Sequence, residues 1–170
     1  TLEASGGETN WGNPITKRKI IDALKAADFS TIRIPVRWDQ HYIDDNYTID
    51  PEFMNRVETV VNYALINDMY AIITIHHNQL QSQANEESKD EVLVELEAIW
   101  TQVANHFKDY GDKLVFETIN EPRNGEDWSG NTSNYKIVNE YNAKSLSTIS
   151  SIGGNNDKRL VMLPTYAASA

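Results

Sequence analysis

An amide and a carboxylate stand side by side at Asn120 and Glu121, directly after the apolar run Leu114–Ile119. This run is rich in β-branched and aromatic residues and is stopped by Pro122, which predicts a short buried strand. A carboxyl group in a partly dehydrated cleft can donate a proton to a leaving oxygen, and a neighbouring amide can hold a substrate hydroxyl. Glu121 is therefore the candidate general acid/base. The alternative reading of the same residue is a solvated loop acid.

Two more predicted strands carry polar groups to the same edge. Arg33 lies within Ser30–Val36, and His76 and His77 follow the near-continuous apolar run Tyr70–Ile75. The carboxyl ends of parallel strands meet at one edge of a sheet, where α/β proteins build their sites. We therefore expect these groups in one cleft. Because side chains alternate along a strand, only one of the two histidines is expected to point along the barrel axis while the chain is still extended, and the loop is expected to turn the other inward.

Other roles remain open for these residues. Arg33 can stabilise charge at the site or form a buried ion pair with Glu117, which by strand alternation shares a face with Glu121. The two roles are compatible. Adjacent histidines suggest a metal, but the chain has no H-E-x-x-H motif and no carboxylate at ligand spacing. Hydrogen bonding explains His76 and His77 equally well, so we predict neither a metal nor a cofactor.

Aromatic residues occur in the loops expected on the same face. Trp11 and Trp128 lie there, and a flat ring in a cleft can stack against a sugar, although a loop tryptophan can equally serve packing. Trp100 lies at helical core spacing and is expected to be structural. The positions of Trp11 and Trp128 are compatible with both roles.

Composition narrows the classes of partner. The net charge is −10 and the sequence pI about 4.8, which argues against nucleic acid and against an anionic membrane surface. The absence of cysteine excludes a disulfide framework and a thiolate site. No apolar run reaches the roughly 18 residues of a membrane span. No signal peptide is recognised in the sequence.

The predicted elements alternate α-β-α-β-α-β-α-β, which is typical of a parallel sheet covered by helices. Helix starts are predicted at Thr16, at Asp50-Pro51 and at a capping box formed by Ser88 and Glu91. A last helix is expected over Tyr135–Ser151 and a fourth strand over Arg159–Tyr166. No second domain is visible, so residues 1–170 are expected to form a single unit.

Taken together, several segments resemble glycoside hydrolase family 5, within its bacterial endoglucanase branch. They are Thr9–Pro14, Arg33–Trp38, Tyr70–His77, Phe116–Pro122, Gly153–Asn156 and Arg159–Tyr166, in the family's order and spacing. The resemblance implies a (β/α)8 TIM barrel, of which this chain would be a truncated part holding about strands 2–5 with their helices. It also implies a secreted, extracellular bacterial endo-β-1,4-glucanase that acts with retention.

The resemblance also assigns roles by position. Glu121 would be the acid/base and Asn120 would bind the sugar 2-hydroxyl, while Arg33 and His76 would belong to the site. Substrate would be lined by His77 and Trp11. The family's nucleophilic glutamate lies on the seventh strand and is expected to be absent from these 170 residues. Retaining hydrolysis needs both carboxyls.

Two functional hypotheses follow. The first is an endo-β-1,4-glucanase acting on β-glucan. The second is an inactive barrel fragment that self-assembles or only binds oligosaccharide. Four strands cut from a barrel leave open edges and apolar faces, so we expect this chain to oligomerise or to need the missing part of the barrel.

Overall fold

A computed structural model describes residues 2–169, so the two terminal residues of the expected 1–170 domain lie outside the described part. Within residues 2–169, four α-helices alternate with four strands in the predicted order. The helices are α1 (Arg18–Ala26), α2 (Pro51–Ile66), α3 (Lys89–His106) and α4 (Thr132–Ser151). The strands are β1 (Thr31–Val36), β2 (Tyr70–Ile75), β3 (Leu114–Glu117) and β4 (Val161–Met162).

The strands form one parallel sheet in the order β1-β2-β3-β4, as the alternation of elements predicts. Arg33 pairs with Ile72 across β1 and β2, and Thr74 pairs with Glu117 across β2 and β3. Leu2 adds a parallel bridge to Val36 on the far side of β1. The segment that contains Leu2 therefore lies against the sheet and carries its neighbours to the same edge.

The core lies between the sheet and the helices that cover it. The largest fully buried side chains include Trp38, Trp100, Phe107, Phe116 and Tyr141. Trp100 is thus structural, as its helical spacing predicts, and its indole N–H donates to the carbonyl oxygen of Thr118. None of the described helices has an apolar stretch of the length that a bilayer crossing demands.

The predicted cap at α1 is wrong by position, and the predicted capping box at α3 does not form. α1 begins after Lys17 rather than Thr16, because the Thr16 backbone binds elsewhere: its N–H donates to Glu8 and its carbonyl accepts from Arg56. At α3, Ser88 is the N-cap residue as predicted, but its side chain makes no capping hydrogen bond; instead the Ser88 N–H donates to the Asn85 side chain.

Of the other two helices, α2 begins where predicted and α4 begins earlier than predicted. Asp50 accepts from the Glu52 N–H and Pro51 opens α2, as predicted. α4 begins at Thr132, earlier than predicted, since Asn131 and Asn134 form a reciprocal capping box. Asparagine can replace serine and glutamate in such a box, and the sequence pattern missed it for that reason.

The fourth strand is much shorter than the predicted Arg159–Tyr166, because only Val161 and Met162 pair with β3. Arg159 turns its side chain into the protein and donates to the backbone carbonyls of Phe107 and Leu114. Burial lowers the pKa of Arg159 to about 10. The start of the predicted strand is therefore an anchor between α3 and β3.

Candidate active site

The polar residues at the carboxyl edge of the sheet form one hydrogen-bonded group around Arg33. Its Nε and Nη2 atoms donate to the two carboxylate oxygens of Glu117 at 2.7 and 2.6 Å. Nη2 also donates to Asn120 Oδ1 at 2.9 Å. The pKa of Arg33 is raised, chiefly by the hydrogen bonds to Glu117. The predicted Arg33–Glu117 ion pair is thus confirmed, and it holds Asn120 as well.

Glu121 lies just beyond this group, at the end of the chain segment that leaves β3. Its φ is +40°, a left-handed value that is unusual for a residue with a side chain. Such values often mark strained positions at functional sites. Strand alternation was expected to place Glu117 and Glu121 on one face, but β3 ends at Glu117 and alternation does not extend to Glu121. Both carboxyl groups nevertheless lie near Arg33, whose pKa their charges raise. Glu121 is half-buried, and the residue beside it, Asn120, is buried.

His76 follows β2 and is held by a residue from the start of the chain. Its Nδ1 atom contacts the Glu3 carboxylate, which is itself buried at 9% exposure. Burial lowers the pKa of His76, while the Glu3 charge acts in the opposite direction. The contact with Glu3 holds the His76 ring in place at the end of β2.

His77 lies beside His76 instead of pointing away from it. The two rings are stacked, with centroids 4.2 Å apart, and His77 has a left-handed φ of +57°. β2 ends at Ile75, so strand alternation does not extend to either histidine, and the loop turns His77 to the side of His76. This agrees with the expectation that the loop would turn one of the two histidines inward. Trp11 meets His77 edge-on at a centroid distance of 5.4 Å and is 51% exposed. The structure therefore brings Trp11, His76 and His77 together.

Two residues of this region escaped the sequence reading. Glu3 lies 73 residues from His76, and no local pattern marks it. Asn78 is buried and its Oδ1 accepts from the Trp38 N–H at 2.8 Å, which ties the end of β2 to the end of β1. The sequence did offer a sign for Asn78, because a polar residue directly after the two histidines is also placed at the carboxyl end of β2.

Trp128 is exposed on the loop after β3, and the Arg123 guanidinium lies over its ring at 4.3 Å from the centroid. Despite this stacking, half of the Trp128 side chain remains exposed to solvent. Its expected position in a loop on the active face agrees with the structure, whereas a contact with sugar stays a prediction.

One group in the described residues has the composition of a metal site. Ligand atoms of Glu3, His76 and His77 all lie within 4.8 Å of one another. The sequence argument against a metal relied on the lack of a carboxylate at ligand spacing, and that premise fails once the fold brings Glu3 alongside. The sequence analysis also predicted no organic cofactor.

Comparison with known proteins gives this geometry a context. The chain is 48% identical over 175 residues to Endoglucanase B of Clostridium cellulovorans, covering all of this chain and 40% of that protein. A solved GH5-4 broad specificity endoglucanase from Clostridium cellulovorans superposes with a TM-score of 0.98 at 62% identity, covering 99% of this chain and 50% of that one. The structure from Ruminococcus champanellensis with bound cellotriose has a TM-score of 0.91 at 44% identity, covering 96% of this chain and 49% of that one.

The chain thus spans about half the length of these structures and less than half of that curated relative. Its four parallel strands and their helices match the corresponding part of their TIM barrels, as the resemblance implies. The family description "Cellulase (glycosyl hydrolase family 5)" matches residues 1–170. The chain therefore belongs to glycosyl hydrolase family 5.

Proposed function

We propose that this chain forms the acid/base side of a retaining endo-β-1,4-glucanase site, with Glu121 as the general acid/base. The supporting observation concerns the three glutamates whose charges act on Arg33. Glu117 is bound to Arg33 and Glu3 is bound to His76. Within residues 2–169, no group donates a hydrogen bond to the Glu121 carboxylate, so it is the one of the three available to a substrate.

The chemistry follows from this arrangement. In the first step the protonated Glu121 carboxyl gives its proton to the glycosidic oxygen as the bond to the anomeric carbon breaks. In the second step the Glu121 carboxylate takes a proton from the water that attacks that carbon. Asn120 is fixed through Oδ1 by Arg33, which leaves its amide N–H groups to donate to a sugar hydroxyl.

Retention also needs a nucleophilic carboxylate about 5–5.5 Å from the acid/base. Glu117 and Glu3 are already engaged by Arg33 and His76, so neither is suited to attack. We propose that the nucleophile belongs to a part of the protein outside these 170 residues.

The substrate class rests on the relatives. Solved relatives from family 5 carry cellotriose, and one is described as an endoglucanase of broad specificity. We propose β-1,4-glucan chains as the substrate, lined here by His77 and Trp11. A polysaccharide cannot cross a membrane intact, so we also propose that the protein is secreted and acts outside the cell, in cellulose degradation.

The test compares two aryl β-cellobiosides that differ only in their leaving group, hydrolysed by the full-length protein. Glu121→Gln should lower the rate by about 10²–10⁴-fold on the substrate with the poor leaving group. It should lower the rate of bond cleavage far less on the substrate whose leaving group needs no proton. Glu126→Gln is the matched control, because Glu126 is an exposed glutamate on the same loop and its replacement should leave both rates unchanged.

Equal losses on both substrates would contradict the acid/base role. A full-length protein that binds cellotriose in calorimetry but hydrolyses neither substrate would instead support the second hypothesis, an inactive sugar-binding protein.

A further inference from the structure

We propose that Glu3, His76 and His77 form a binding site for a divalent transition metal ion such as Zn²⁺. This site is separate in its chemistry from the proposed hydrolysis, because it requires no sugar and no proton transfer. The proposal rests on three converging ligand atoms, on the burial of Glu3 and His76, and on the local charge.

The three ligand atoms already lie close to metal-binding positions. Glu3 Oε2 contacts His76 Nδ1 and lies 3.7 Å from His77 Nδ1, and all three ligand atoms fall within 4.8 Å of one another. In a tetrahedral zinc site with ligands about 2.0–2.1 Å from the metal, neighbouring ligand atoms lie about 3.3 Å apart. Small side-chain movements therefore suffice to surround an ion.

The site combines two fixed ligands with one adjustable ligand. The side chains of Glu3 and His76 are only 12% and 16% exposed, whereas that of His77 is 42% exposed. A metal must lie close to the plane of each imidazole, so one ring has to tilt out of the His76–His77 stack. His77 is the ring with room to do so, and its exposed side gives the ion access from solvent.

The local charge favours a cation despite the nearby Arg33. The Arg33 guanidinium is paired with Glu117 through two hydrogen bonds, so its charge is largely compensated within that pair. The Glu3 carboxylate contacts His76 and lies close to His77, and it makes no hydrogen bond to Arg33 among the described residues. A metal ion would take the place of the hydrogen bond between Glu3 and His76.

The chemical types of the three ligand atoms determine which metal ions the site favours. Two imidazole nitrogens and one carboxylate oxygen suit Zn²⁺, Cu²⁺, Ni²⁺ and Co²⁺, while Mg²⁺ and Ca²⁺ prefer oxygen ligands. Three protein ligands leave at least one coordination position for water.

The test is calorimetric titration of the purified protein with Zn²⁺ near neutral pH, together with the visible absorption of added Co²⁺, neither of which depends on hydrolysis. We expect one Zn²⁺ per chain and a cobalt spectrum with nitrogen ligation. His77→Ala should weaken Zn²⁺ binding by at least about 10-fold, without disturbing the fold since the side chain is half exposed. His106→Ala is the matched control, because His106 also pairs with a glutamate, Glu58, but lacks a second imidazole.

Three results would overturn the proposal. They are the absence of Zn²⁺ heat and of a cobalt band, equal affinity in the wild type and His77→Ala, and loss of binding in His106→Ala. Glu3→Gln provides a second check on the ligand set, and its binding should also be weaker.

The pH dependence of binding gives a further test. Because imidazole must be deprotonated to bind a metal ion, the Zn²⁺ affinity of the wild type should fall as the pH drops below the ordinary histidine range.

Discussion

Arg33 and Glu117 are 84 residues apart in the sequence, and two hydrogen bonds of 2.7 and 2.6 Å join them. They lie on β1 and β3, so the pair spans the intervening strand β2. The same guanidinium holds Asn120. The Arg33 guanidinium therefore fixes the amide of Asn120, next to Glu121. The stability of the carboxyl edge of the sheet and the geometry of the site thus depend on the same arginine side chain.

The first prediction concerns the stability contributed by this pair. Arg33→Met should lower the free energy of unfolding by about 2 kcal/mol, since it leaves the buried Glu117 carboxylate without its charged donors. Adding Glu117→Gln to that variant should recover part of the loss, because the uncompensated charge is gone. Urea unfolding measures both.

The control for this prediction is Arg18→Met. Arg18 is 58% exposed and pairs with Asp22 on the surface of α1, so its loss should cost no more than about 0.5 kcal/mol. Equal costs for Arg33→Met and Arg18→Met would show that the Arg33–Glu117 pair does not support the fold.

The Arg33–Glu117 pair also illustrates what the sequence allows one to predict. A single charged residue inside an apolar strand needs a partner, and Glu117 is the acid within the third predicted strand. The alternation of elements, the parallel sheet and the α2 start at Asp50-Pro51 could be predicted for the same kind of reason, since each depends on local pattern. The resemblance to family 5 rested on short segments and is confirmed by the family match.

Long-range contacts could not be predicted. Glu3 reaches His76 only because Leu2 bridges to Val36 beside β1, and nothing near Glu3 in the sequence announces that bridge. The orientation of His77 depends on a left-handed φ after the strand ends, which alternation cannot foresee. The length of β4 was overestimated because apolar character alone does not reveal which residues find a partner strand.

The second prediction tests Asn120 and rests on the proposed function. Asn120→Ala should lower kcat by about 10²-fold with little change in KM, because hydrogen bonds to the sugar 2-hydroxyl strengthen in the transition state. On a substrate that lacks this hydroxyl at the cleavage point, the wild type and the variant should react at nearly equal rates. A loss that persists on the deoxy substrate would contradict a contact with the 2-hydroxyl.

The third prediction concerns Glu95, on the side of α3 that faces Tyr42. Burial raises the pKa of the Glu95 carboxyl, with further repulsion from Asp39 and Glu91, although the Tyr42 hydroxyl donates to it at 2.7 Å. The folded state therefore holds the proton more tightly than the unfolded state. Stability from this group is present below the ordinary pKa of 4.5 and is lost as the pH rises through the folded value.

Glu95→Gln should remove this dependence. Glutamine still offers an oxygen to Tyr42 but carries no charge, so the variant should be more stable than the wild type at neutral pH and lose that advantage in acid. Urea unfolding at a series of pH values measures the difference. Curves for the two proteins that stay parallel across the series would contradict the assignment, and the exposed Glu87→Gln serves as the control for a glutamate replacement without burial.

The last prediction concerns the 170-residue chain on its own. Near β4, Leu160, Met162 and Leu163 are 63%, 43% and 45% exposed, and no described strand pairs with the outer edge of β4. An open strand edge beside exposed apolar side chains favours pairing with another copy. We therefore expect light scattering to give a mass that rises with protein concentration.

Leu163→Lys should shift the chain toward monomer by placing a charge on this edge. Val94→Lys, at an exposed apolar position on α3 away from the sheet edge, should not. A monomer at every concentration would show that this edge does not associate, and an equal effect of both lysines would place the contact elsewhere.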